Sequence, residues 1–155
     1  MRRLLITALC AILPMGAPSA LQAATVATFQ SAPRDIGVGD PLRRPLLDAL
    51  RPSIEAELAQ PVQFVVTTLR VQGNWAFAVV APQQPNGRPI DFSRTQYAEA
   101  EREGFWDGPT TYALLRRQGQ TWHVTEFVMG PTDVAWSDWP ERFGAPAGLM
   151  GLPDR

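Results

Sequence analysis

Two stretches of this chain run in β-branched alternation, stop at a short glycine turn and resume. VQFVVTTLRV, from Val62 to Val71, gives way to Gly73-Asn74 and then to WAFAVVA, from Trp75 to Ala81. TTYALLRR, from Thr110 to Arg117, gives way to Gln118-Gly119 and then to QTWHVTEFVM, from Gln120 to Met129. Valine, threonine and aromatic residues suit a pleated surface, and a glycine pair between two such runs is a hairpin signal. Two hairpins predict a mostly antiparallel sheet of about four strands. The rest of the chain must then supply layers to cover it.

Helical periodicity supplies the first layer. Asp40 before Pro41 is a helix-start pair, since the Asp oxygen accepts backbone N–H groups and proline loses nothing in the first turn. Leu42, Leu46, Leu47, Leu50, Ile54 and Leu58 follow as one apolar stripe. Pro45 and Pro52 oppose a straight helix, so the pattern predicts a helix that begins near Pro45 or is kinked or broken at Pro52. Pro82 to Pro89, with three prolines and Asn86-Gly87, reads as an exposed loop. Ser93 to Glu103 reads as a short surface helix ended by Gly108-Pro109. Asp133 is placed to cap a third helix carrying Trp136, Pro140 and Phe143 on one face and stopping at Gly144. The expected architecture is α+β, with helices packed against the sheet.

The N-terminus bounds where such a domain works. Arg2 and Arg3 precede an apolar run, Leu4 to Leu13, followed by helix breakers and the small residues Ser19, Ala20, Ala23 and Ala24. This is the pattern of a removable signal peptide, and ten residues are too few to cross a bilayer. The expected organisation is therefore a signal peptide over 1–23, an extended segment over 24–40, one α+β domain over 41–145 and a C-terminal tail over 146–155. Periplasmic or secreted location follows, with no integral membrane anchor. Cleavage after Ala23 removes Cys10, the only cysteine, so neither a disulfide nor thiol chemistry is available afterwards. Removing Arg2 and Arg3 also leaves twelve arginines against fifteen acidic residues, a charge of −3. That balance disfavours nucleic acid as a partner.

The stretch ALLRRQGQTWHVTEF, Ala113 to Phe127, resembles the closing hairpin of the nuclear-transport-factor-2-like and cystatin-like cone folds, where a polar glycine turn precedes Trp and alternating apolar residues. The ending GPTDVAWSDWPERFGAP, Gly130 to Pro146, is similar to that of small uncharacterised exported bacterial proteins and implies no activity. The first resemblance implies, as an alternative to a binding role, a small cone-fold enzyme.

Residues able to carry chemistry are few. Regular alternation places Thr111, Ala113 and Leu115 on one face with Trp122, Val124, Glu126 and Val128. Tyr112, Leu114 and Arg116 then share the other with His123, Thr125, Phe127 and Met129. His123, the only histidine, is the first general-base candidate, with Tyr112 and Arg116 as neighbours; the alternative is a partly exposed strand histidine beside an arginine. Glu126 interrupts an apolar face, as a catalytic carboxylate does, or as a structural one paired with Arg116 or Arg70 does. The acid/base set of the enzyme reading is thus His123, Tyr112 and Glu126. One histidine without cysteine excludes a structural zinc site, no acidic loop has calcium-binding spacing, and no phosphate loop, dinucleotide fingerprint or nucleophile elbow suggests a cofactor. Five tryptophans suit core packing, with Trp106 beside Asp107-Gly108 expected to be the most exposed. The reading favoured by these observations is a soluble, non-enzymatic binding or accessory protein of the cell envelope. Its ligand, a protein, peptide or envelope component, is expected to meet Trp106, Arg116, His123 and Tyr112.

Overall fold

The computed structural model describes residues 31–153. The stretch expected to be a signal peptide, its expected cleavage site and the first part of the expected extended segment lie outside the described residues. The fold is α+β, and among the described residues its sheet has five antiparallel strands rather than about four: β1 (Arg34–Asp35), β2 (Gln63–Gln72), β3 (Trp75–Gln83), β4 (Thr111–Gln118) and β5 (Thr121–Met129). Their spatial order is their chain order. The added strand is β1, whose two residues pair with Arg70 and Val71. Both expected hairpins form. The second turns at Gly119-Gln120, one residue later than expected, so that Gln118 pairs with Thr121. Pairing of β3 with β4 joins the hairpins.

Helix α1 (Arg43–Leu58) begins near Pro45, one of the two expected alternatives, and runs through Pro52 without the break that the other would require. Proline inside a helix costs about 3 kcal/mol. Leu46, Leu50, Ile54 and Leu58 are all buried, and each such burial contributes roughly 1.5–3 kcal/mol, so the stripe outweighs the lost backbone bond. Two side chains flanking the proline also fasten the helix to the start of β2. Arg51 Nη1 donates to the Val62 carbonyl (2.5 Å), and Glu55 Oε1 accepts from the Val62 N–H (3.0 Å). Asp40 Oδ1 accepts the Leu42 N–H (2.9 Å) just ahead of the helix, and Arg34 pairs with the same carboxylate.

The sheet carries a core on each face. Against α1 lie Leu69, Val80, Ala113, Leu115, Trp122 and Met129. On the opposite face Phe77 and Leu114 are covered by Trp139, Ala145, Leu149 and Met150. That cover comes from α3 (Trp139–Phe143) and a 3-10 turn (Ala147–Met150). The third helix is therefore shorter than expected. Asp133 binds the N–H of its neighbour Val134 (2.6 Å) and Asp138 occupies the cap position, while Gly144 ends the helix as expected. The stretch expected as a tail buries Leu149 completely. The surface helix is also divided, into a 3-10 turn (Phe92–Arg94) and α2 (Ala98–Glu103), and Gly104 rather than Gly108-Pro109 stops it.

Two bulges correct the face assignment. The pairing steps from Leu114↔Glu126 to Leu115↔Val124, leaving Thr125 as an extra residue; Thr67 is the extra residue in β2. An extra residue reverses the alternation beyond it. Phe127 and Met129 therefore face α1, and Glu126 and Val128 join Tyr112 and Leu114 on the other side.

Candidate binding surface at the hairpin tips

The two turns bring three cross-strand neighbours into one row. Trp75, the first residue after Gly73-Asn74, pairs with Arg116, and Arg116 pairs with His123. Directly opposed residues share a face with Cβ atoms about 5 Å apart. The Arg116 guanidinium carbon lies 5.1 Å from the centre of the Trp75 ring, on the face opposite α1. Arg117 points to the other face and lies 5.7 Å from the centre of Trp122. Its Nε and Nη2 also donate to Asn74 Oδ1 (3.3 and 3.0 Å), and its backbone N–H donates to the Asn74 carbonyl (2.8 Å), which ties one turn to the other. A guanidinium resting on an aromatic ring gains cation–π attraction and loses rotamer freedom, while the N–H groups at its edge stay available. Each sheet face thus presents one stacked, exposed arginine at the same end of the molecule. Among the described residues neither arginine makes an ion pair; the ion pairs there involve other arginines.

The expected ligand set is only partly assembled. Arg116 and exposed His123 stand together. Tyr112 lies on the same face but two rows away, stacked on Trp136 with centroids 3.8 Å apart. Trp106 is on the α1 face and is not the exposed aromatic: it packs against Phe92 (4.4 Å) and Tyr97 (5.4 Å), with its indole N–H buried. The exposed ring is that of Phe105, at 73%. Trp75, Asn74 and Arg117 complete the surface and were absent from the expected set. Their signal is visible in the sequence, as a Trp after one glycine turn and an Arg pair before the other, but only the register places them side by side.

The acid/base set does not converge. The bulge puts Tyr112, Glu126 and His123 on one face, yet in three successive rows. Four residues of β4 separate the rows of Tyr112 and His123, about 14 Å at strand spacing, and proton transfer requires about 3 Å. Buried Leu114 fills the middle row, where Glu126 Oε2 pairs with Arg142 Nη2 (3.2 Å). Neither partner expected for Glu126 takes that place, because Arg70 pairs with Asp35 (2.8 Å) and Arg116 lies on Trp75. Among the described residues, no group of three or more His, Cys, Asp or Glu side chains is placed to hold a metal ion. None of their helices is long and apolar enough to cross a membrane. The groove along the outer side of α1 has its polar groups engaged: Arg43 donates to the Ile36 carbonyl, Arg51 to that of Val62, and Asp48 pairs with Arg44 and Arg51.

Comparisons with family models, with curated proteins and with solved structures found no match to this chain.

Proposed function

We propose that this chain is an exported binding or accessory protein of the cell envelope, which takes a protein, peptide or envelope ligand on the exposed hairpin tips. The observation that carries the reading is the pair of stacked arginines, Arg116 on Trp75 and Arg117 on Trp122, one on each face of the sheet end. A flexible surface arginine loses entropy on binding, whereas one already held on a ring and, for Arg117, to Asn74 is partly pre-organised. The signal-like N-terminus supports a place outside the cytoplasm.

Two measurements test the proposal together. Intact mass of protein recovered from the envelope fraction is expected to show a start near Ala24, and a product still carrying Arg2 and Arg3 would refute export. Immobilised protein is expected to retain an envelope component that the Arg116→Gln, Arg117→Gln double variant does not. Equal retention by both would remove the hairpin tips as the binding surface.

A further inference from the structure

The charge of this molecule is segregated. No carboxylate side chain occurs between Glu57 and Asp91, or between Asp107 and Glu126, although the whole chain has a net charge of −1. The first hairpin and the second as far as Thr125 fall within those intervals, and they carry Arg70, Arg116, Arg117 and His123. Asp35 from β1 neutralises Arg70. The connection from Gln84 to Thr110, which joins β3 and β4 at the other end of the sheet, holds Asp91, Glu99, Glu101, Glu103 and Asp107 against Arg88, Arg94 and Arg102. That is five acidic residues against three basic, or −2. The hairpin tips therefore select for negative charge in a chain that otherwise repels it.

Resting on the binding role proposed above, we infer that the ligand is an acidic polypeptide segment, taken in extended form along the tip-side end of β5. A carboxylate matches the planar fork of a guanidinium in bidentate fashion, and both forks are already oriented by the rings beneath them. The choice of polypeptide rests on β5. Among the described residues it pairs only with β4, so its outer side presents main-chain donors and acceptors that an added strand answers and that a sugar or lipid does not. Farther along, that edge is closed: Thr125 bulges, and Glu126 Oε1 accepts the Phe127 N–H (3.2 Å). The open part is Thr121 to Val124, beside His123 and the stacked arginines. Stacking by a sugar would have to compete with the guanidinium on each ring. The turn residues Gly73, Asn74, Gly119 and Gln120 offer no apolar wedge to a bilayer. Because side chains alternate along a strand, neighbouring acidic residues of the segment point to opposite faces, one to the side of Arg116 and one to the side of Arg117.

The test is fluorescence anisotropy of a fluorescein-labelled ten-residue peptide in which Glu-Glu and Thr-Thr pairs alternate, titrated with the purified protein. Saturable binding is expected, weakening about tenfold or more when Arg116 and Arg117 are both changed to Gln, and strongly as salt is raised. Changing both to Lys keeps the charge but loses the fork and is expected to recover only a minor part. Circular dichroism melting checks that the variants stay folded. A galacturonate oligomer and phosphatidylglycerol vesicles are the competing probes. No binding of the peptide, equal binding by the double Gln variant, or equal or tighter binding of either competing probe would overturn the inference. If envelope capture still depends on Arg116 and Arg117 while the peptide fails, the acidic-polypeptide assignment falls and the binding surface stands.

Discussion

Gly130 follows the last residue of β5 with φ of +60°, and a Cβ built on it would lie 1.7 Å from Nε1 of Trp106. The backbone conformation and the contact both require glycine, since a side chain here is strained and has no space. The nitrogen of the indole is the atom nearest this position, and among the described residues its N–H is buried without a hydrogen-bond partner. Gly130→Ala is expected to destabilise by about 2–4 kcal/mol, combining overpacking with the left-handed backbone penalty, as read from the urea midpoint. Adding Trp106→Leu should relieve the packing part, giving a coupling between the two sites. Strict additivity would show that the ring does not rest there. In the sequence, Trp106 beside Asp107-Gly108 looks like a loop aromatic open to solvent. Nothing in those three residues reveals that a glycine twenty-four positions later makes room for it.

Among the α-helices of the described residues, α2 has the least anchorage of its own, because none of Ala98 to Glu103 is buried. Its hold on the body comes from the residues just before it. Tyr97 packs between Phe92 and Trp106, and its hydroxyl donates to Glu57 Oε1 of α1 (2.5 Å), which also accepts from Gln96 Nε2. Burial, and then the hydrogen bond to Glu57, push the Tyr97 hydroxyl above the ordinary tyrosine range. The folded state therefore favours the protonated phenol. The stability this contributes is fully present below the unfolded value near pH 10 and is lost as pH rises above it toward the folded value. Tyr97→Phe is expected to lower stability at pH 7 and to flatten its decline above pH 10. An unchanged alkaline slope in urea midpoints measured from pH 7 to 11 would exclude Tyr97 as its source. Elements with dense local signals were legible in the sequence: both hairpins, the α1 stripe and the Gly144 stop. Less legible were features decided by pairing. Two residues of β1 carry no pattern of their own. Thr125 sits in an alternation that looks regular until its partners on β4 are known, so the faces of Glu126 to Met129 were inverted. Tyr112, Arg116 and His123 were grouped correctly on one face. Their separation into rows, and the part played by Trp75 and Arg117, depended on register that turn chemistry fixed only to within a residue.

At the scale of the molecule, one sheet separates two cores of different composition. The α1 face is largely aliphatic, whereas the other gathers Phe77, Tyr112, Trp136, Trp139 and Phe143 around Leu114 and Leu149. Leu149→Ala is expected to cost about 2–5 kcal/mol, because the side chain is fully buried. The accompanying rise in amide exchange should be confined chiefly to α3 and the 3-10 turn; uniform loss of protection through α1 would show that the two cores fail as one. The cover of the second core is held to the sheet by side chains, with Arg142 reaching Glu126, rather than by membership of the strand ladder. It can consequently lift away as a unit while β3 and β4 keep their main-chain bonds and α1 keeps its seat. Such an opening bares a ready-made aromatic surface around Phe77 at the cost of only part of the total stability, so the first route to misassembly runs through this flap rather than through complete unfolding.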